Sequence, residues 1–307
     1  CLSSLNLEKY DEWKDDNVMI NDVMRFLDNV LTDFIERAPE QFDDAKYSAE
    51  KERSVGLGVM GFHSYLQKHS IPLESVMSKA WNKKIFKHIQ EHVDQASKDL
   101  ADERGACPDA ADYGYNERFS NKTAIAPTAS ISIICGGASP GVEPVAANSY
   151  THKTLSGSFN VRNRYLVELL EKHGKNTDDV WSGITTNQGS VSHLDFLTDL
   201  EKDVFKTAFE LDQKWIIELS GDRTPYISQA QSINLFVPAD IHKRELHKIH
   251  FDAWKKGLKS LYYCRSKSIQ RAENINDAKS TDVLANVYKN KATKTEEPEY
   301  EECLSCQ

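Results

Sequence analysis

The chain is poor in cysteine, with six in 307 residues at positions 1, 107, 135, 264, 303 and 306. Scattered in this way, they are unlike the dense disulfide frameworks that hold small secreted domains together. No apolar run approaches the roughly 20 residues that a membrane-spanning helix needs. The chain opens Cys1-Leu-Ser-Ser, with neither the basic stretch nor the apolar core of a signal peptide. Positive charge is also in the minority: 38 Lys and Arg against 47 Asp and Glu give a net charge of −9. A sequence-independent grip on nucleic acid requires a basic footprint, so no direct nucleic-acid partner is expected. Together these absences predict a soluble, cytoplasmic protein with no membrane partner. What is present, 39% hydrophobic and 28% charged residues, is enough to bury a core in one large domain or two ordinary ones. Because it begins at Cys1 rather than Met, the chain reads either as a piece or processed product of a longer polypeptide or as an artificial boundary.

Hydrophobic spacing predicts helices first. Over Asn17 to Ile35, the residues Met19, Ile20, Val23, Leu27, Val30, Leu31, Phe34 and Ile35 recur at intervals of three and four, forming one buried stripe. A second helix is predicted from Trp81 to Glu103, with Ile85, Ile89, Val93, Ala96 and Leu100 on one face and Gly105 as its stop. A third is predicted from Leu194 to Leu219, and a fourth from Lys243 to Leu258. Short strands are predicted at Ser232–Val237, ended by Pro238, and around Ser260 to Cys264. Helices alternating with isolated strands indicate an α/β class with crossover connections. Residues 291–307 differ in kind: five glutamates, Thr293, Thr295 and Pro298 leave almost nothing to bury, which predicts a mobile acidic tail after a domain of residues 1–290. That tail carries the only close cysteine pair, Cys303-Leu-Ser-Cys306. With no further ligand nearby for zinc, redox work is the better reading of it.

Several motifs need weighing. Gly56-Leu-Gly58-Val-Met-Gly61 matches the dinucleotide-binding pattern, but the residues before it, Lys51 to Ser54, are not a buried strand. The glycines are therefore read as permitting a turn or close helix packing. His247 and His250 share a helix face, yet Glu245 lies nearly opposite, so a solvated face is favoured over a metal site. In Ala126-Pro-Thr-Ala-Ser-Ile-Ser132, small hydroxyl residues after a proline can leave backbone N–H groups uncovered and add donors without bulk. Such a loop can cradle a phosphate, although taken alone an ordinary turn is the simpler reading. Tyr262 and Tyr263 are adjacent; such pairs usually place one ring in the core and one at the surface, but two oxidisable phenols in contact also suit a redox relay.

In this order the segments resemble the carboxy-terminal half of the large (α) subunit of class I ribonucleoside-diphosphate reductase. The resemblance is carried by Cys1 to Leu7, Arg53 to Gly61, Ala126 to Ser132 with Gly141-Val-Glu-Pro144, Leu155 to Val161, Asp222 to Ser228, Ser232 to Leu235, His250 with Trp254 to Lys259, Leu261-Tyr-Tyr263 and Glu302 to Cys306. It implies the second half of a ten-stranded α/β barrel with a largely helical opening. It also implies radical chemistry, in which a thiyl radical removes a ribose hydrogen and a cysteine pair supplies the reducing electrons. Cys1 matches one cysteine of that pair. Tyr262 and Tyr263 match the tyrosines that pass the radical from the small (β) subunit. Thr128, Ala129, Ser130, Ile131 and Ser132 match the loop that binds the substrate's phosphates. Cys303 and Cys306 match the tail pair that re-reduces the active-site disulfide, with thioredoxin or glutaredoxin as reductant.

No cofactor is expected on this chain itself; the metal-radical cofactor belongs to the β subunit. The family's Asn-x-Cys-x-Glu radical loop does not occur in this sequence. The implied reading is thus half an enzyme, inactive alone and completed by an amino-terminal α polypeptide. A non-catalytic regulatory relic and a stand-alone dithiol carrier are the alternatives. Cys107, Cys135 and Cys264 match no catalytic position and are expected to be buried small hydrophobes.

Overall fold

In a computed structural model, residues 1–154 and 157–266 are described. The acidic tail with Cys303 and Cys306, and the boundary near residue 290, lie outside them. The strands are β1 (Leu2–Asn6), β2 (Gly56–Met60), β3 (Ser149–Thr154), β4 (Gly157–Arg162), β5 (Leu235–Val237) and β6 (Cys264–Ser266). In the first half the helices are α1 (Tyr10–Trp13), α2 (Met19–Arg37), α3 (Asp43–Glu52), α4 (Phe62–Lys68), α5 (Val76–Arg104), α6 (Pro108–Asp112) and α7 (Ile131–Ile134). They are followed by α8 (Arg164–Lys172), α9 (Asp178–Thr186), α10 (Asp199–Val204), α11 (Gln213–Arg223) and α12 (Lys243–Lys255).

Regular pairing gives three two-stranded sheets among the described residues: β1–β2 and β5–β6 parallel, β3–β4 antiparallel. Single bridges join the parallel pieces. Leu57 pairs with Thr123 and Ile125 with Gln231, both parallel. The N–H of Leu57 donates to the Lys122 carbonyl at 2.9 Å, that of Ile125 to Ala230 at 3.1 Å and that of Tyr262 to Ile233 at 2.8 Å. Five segments, at 2–6, 56–60, 122–125, 230–237 and 262–266, therefore run in parallel and in chain order. This is the arrangement that a half barrel of crossover units requires, although no closed sheet forms among the described residues. β2 is buried along its whole length, as a central parallel strand must be.

The glycines at 56 and 58 neither make a turn nor pack helices, contrary to the sequence reading; they lie inside β2. A Cβ at Gly58 would sit 2.2 Å from the Ala124 carbonyl oxygen, so only glycine lets the two backbones approach. Gly61, at φ 79°, then turns the chain into α4.

α2 and α5 pack together along most of the predicted stripes, but Val30 and Phe34 of α2, expected to be buried, are exposed. α5 begins five residues before the predicted start, because the Ser75 side chain caps it by accepting from the Ser78 N–H at 3.1 Å. It ends at Gly105 as predicted. Between α2 and α5, Asp28 is fully buried and accepts from Arg53 Nε and Arg118 Nε at 2.9 Å each and from Arg104 Nη1 at 2.8 Å. Burial alone would raise its carboxyl, but the bonds from Arg118 and Arg104 and the charge of Arg53 hold it below the usual range. Arg223 of α11, also buried, donates to Asn82, Gln231 and Ser220 and lies over the rings of Phe62 and Phe86.

The single helix predicted from Leu194 to Leu219 is instead α10, a turn and α11. Val204 and Phe205 belong to a secondary core with Leu166, Trp181 and Leu197, whereas Leu211 and Ile216 belong to the main one. A straight helix cannot serve both cores. Thr198 caps α10 in a reciprocal box with Glu201, and Asp212 caps α11 afresh.

Candidate functional site

The loop after the 122–125 segment is held in an unusual backbone shape. Thr128 is buried at φ 53°, and its Oγ1 accepts from the Gly141 N–H at 2.6 Å. Gly141, itself at φ 50°, has no room for a side chain: a Cβ there would lie 3.0 Å from the Ala126 carbonyl. Ser132 donates its N–H to the Thr128 carbonyl and its hydroxyl to that of Ala129. The hydroxyls of Thr128 and Ser132 thus brace the loop's own backbone, where the sequence suggested donors for a ligand. The backbone does leave donors over: among the described residues, the N–H groups of Ala129, Ser130 and Ile131 meet no protein acceptor. The four-residue α7 is too short to supply a macrodipole, so these amides act only as individual donors.

Two cavities flank this loop. One, of about 310 Å³, lies between Leu2–Ser4 of β1, the loop at 126–131 and Tyr262. The other, of about 470 Å³, is lined by Ala129 and Ser132 together with Glu143, Asn234, Tyr263 and Arg265, and again by Tyr262. Tyr262 forms part of the wall of both. Cys1, exposed, immediately precedes the residues of β1 that line the smaller cavity. The structure therefore brings the start of β1, the 128–132 loop and the tyrosine pair together; Cys303 and Cys306 lie outside the described residues.

The tyrosine rings are in contact, with centroids 4.1 Å apart and planes at 50°. Both are 42% exposed, so the expected split into one core and one surface ring does not hold. Their backbone is pinned to the preceding strand, with the Leu235 N–H donating to the Tyr263 carbonyl at 2.8 Å. The Arg265 guanidinium lies 5.7 Å from the centre of the Tyr263 ring.

Glu143 was not singled out from sequence. It is buried, accepts from Asn234 Nδ2 at 2.6 Å, and has its carboxyl pushed up to about 7 by that burial, against the pull of Asn234 and Arg265. The segments Gly141–Pro144 and Ser232–Leu235 contain both residues, but no local spacing links them. His63 of α4 is buried behind this region; its Nδ1 accepts from the Val145 N–H, and burial presses its pKa down to about 3.

Of the cysteines expected to be buried, Cys107 is, but Cys135 and Cys264 are exposed. Cys135 caps the end of α7 and Cys264 opens β6, a strand exposed along its length, so neither reaches a core. His247 is exposed and stacks with Phe251, while His250 bonds the Leu246 carbonyl; both fit a solvated helix face. No helix among the described residues is long and apolar enough to cross a membrane.

An α/β half barrel with a braced loop and an exposed tyrosine pair defines a class of protein that comparison identifies. The family described as "Ribonucleotide reductase, barrel domain" matches residues 1–117 and 109–264, and the chain belongs to it. Among its relatives, the ribonucleoside-diphosphate reductase large subunit of Invertebrate iridescent virus 6 is 52% identical over 279 residues, 90% of this chain and 29% of that protein. The large subunit of Invertebrate iridescent virus 3 is 44% identical, over 92% of this chain and 45% of its own length. Among solved structures, the Actinobacillus ureae class Id ribonucleotide reductase alpha subunit superposes with a TM-score of 0.81 at 40% identity, over 87% of this chain and 49% of that one. The resemblance to class I large subunits is thereby borne out. The chain spans half or less of the length of each of these proteins.

Proposed function

We propose that this chain is a component of a ribonucleoside-diphosphate reductase, converting ribonucleotides to 2'-deoxyribonucleotides together with an amino-terminal α polypeptide and a β subunit. The loop from Thr128 to Ser132 binds the substrate's diphosphate through the amides of Ala129, Ser130 and Ile131. Tyr263 receives the oxidising equivalent from the β subunit, whose metal-radical cofactor supplies it, and Tyr262 passes it towards the sugar. Cys1 is one thiol of the pair that becomes a disulfide as the sugar is reduced. Cys303 and Cys306 restore that pair at the expense of thioredoxin or glutaredoxin, a cycle suited to a reducing, cytoplasmic setting.

The observation that supports this reading best is the position of Tyr262. It lines the cavity shared with the free loop amides and touches Tyr263, which lines the cavity on the other side. That order is what a relay from an outside partner to a bound sugar requires. The test is reconstitution. The chain with the β subunit alone is expected to be silent and to gain activity when the amino-terminal complement is added. Tyr262→Phe and Tyr263→Phe are each expected to abolish turnover while assembly persists. Ribonucleotide reduction without the complement, or near-normal turnover by either Phe variant, would overturn the proposal.

A further inference from the structure

The tyrosine pair has a third, less obvious tether. The backbone ladder ties Tyr262 through its N–H to Ile233 and Tyr263 through its carbonyl to Leu235. The remaining backbone donor, the Tyr263 N–H, goes to a side chain: Asn234 Oδ1, at 2.9 Å. The other end of that same amide, Nδ2, donates to Glu143 at 2.6 Å. Asn234 is 2% exposed and Glu143 9%, so neither can exchange its partner freely for water. An acceptor at 143 dictates which way the amide faces. Its NH2 group must turn towards the carboxyl, and its oxygen is then left for Tyr263.

We propose that Glu143, acting through Asn234, is a positioning residue for the Tyr262–Tyr263 pair, and that its carboxyl gives the pair two distinct environments according to whether it carries a proton. This rests on the tyrosine pair having the relay role proposed above. Ionised, the carboxylate makes a charge-assisted bond to Asn234 and attracts Arg265, which itself lies over the Tyr263 ring. Protonated, it keeps only a neutral bond and no longer attracts Arg265. Among the described residues, the other titratable groups facing Glu143 are few. Tyr262, Tyr263 and Tyr150 line the same cavity, with Arg265 the cation there. His63, behind Val145, stays neutral because burial presses its pKa to about 3. With burial pushing the Glu143 carboxyl up to about 7, its change of state falls within the working range of most enzymes.

The test reads the position of the ring rather than turnover. With 4-fluorophenylalanine in place of Tyr263, a ring with no phenol of its own to titrate, the 19F resonance of the full chain is followed between pH 5.5 and 8.5. A single step with a midpoint near pH 7 is expected. In Glu143→Gln, which keeps an acceptor for Asn234 but cannot ionise, the step is expected to vanish while the resonance stays sharp. In Asn234→Ala the resonance is expected to shift at every pH, with the circular dichroism unchanged. Persistence of the step in Glu143→Gln, or an unshifted resonance in folded Asn234→Ala, would overturn the proposal. In the reconstituted enzyme, Glu143→Gln is expected to lose the low-pH limb of kcat with KM unchanged. The turnover of Tyr263→Phe separates the two readings: if it is lost while the 19F step persists in Glu143→Gln, the relay stands and the role of Glu143 falls.

Discussion

Thr128 and Gly141 close the loop beside the tyrosine pair on each other. The hydroxyl of Thr128, a β-branched residue held at a positive φ, is the acceptor for the Gly141 N–H, and both residues are buried. Backbone strain at Thr128 is thus offset by a bond that no other residue nearby supplies. The next three amides, those of Ala129, Ser130 and Ile131, meet no protein acceptor among the described residues.

Thr128→Val tests the brace. Valine keeps the shape but offers no acceptor, so the Gly141 N–H becomes a buried donor without a partner. A loss of about 1–3 kcal/mol in stability is expected, with an unchanged urea m-value. If urea denaturation showed no loss, the Thr128–Gly141 bond would contribute nothing net.

Asp28→Asn removes the buried negative charge shared by Arg53, Arg104 and Arg118, leaving only Glu103, which pairs with Arg104 alone of the three. Leaving three cations around a neutral buried amide is expected to cost on the order of 3–5 kcal/mol. The carboxyl is held below its ordinary 3.8 in the folded protein. Its contribution is therefore fully present above that value and is lost as pH falls through the lower, folded one. Denaturation at pH 7 and pH 3 checks both parts. A variant as stable as wild type at pH 7 would show the cluster to be decorative.

His63 carries the opposite kind of group, a base kept neutral. Its pKa falls from 6.5 in the unfolded chain to about 3 when folded. The unfolded chain therefore binds the proton first, and stability is lost as pH falls below 6.5. Between pH 7.5 and pH 5 this one residue is expected to cost about 2 kcal/mol. Glu143, with its raised pKa, contributes the reverse trend, so the measurement is the difference between wild type and His63→Asn, whose side chain can still accept from Val145. Parallel pH–stability curves for the two proteins would remove His63 from the account.

Cys303→Ser and Cys306→Ser are expected to divide single from repeated turnover. On the proposed function, the first turnover would draw on an already reduced pair at the sugar and is expected to survive. Repeated turnover driven by thioredoxin or glutaredoxin is expected to collapse, because one tail thiol cannot resolve a mixed disulfide. Dithiothreitol is expected to restore part of it, whereas Cys1→Ser is expected to fail with either reductant. Equal losses of single and repeated turnover in the tail variants would leave the shuttle role without support.

By itself the sequence determined whatever depends on neighbours a few residues apart. Most of the α2 stripe, the α5 stripe, the glycine stop at 105 and the hydroxyl-rich run at 126–132 were legible because helical periodicity and turn chemistry are local. The order of motifs carried the family, since a series of short matches survives where each alone is weak. Tertiary structure decided the rest. Gly58 is required by the Ala124 backbone that crosses it, and the break between α10 and α11 by two separate cores competing for one stretch of chain. Glu143 meets Asn234 across 91 residues of sequence, and both tyrosines remain half-exposed because they sit in the walls of cavities. Contacts between distant segments leave no periodic trace in either one, so burial, the raised pKa of Glu143 and shared cavity walls were settled only when the parallel segments came side by side.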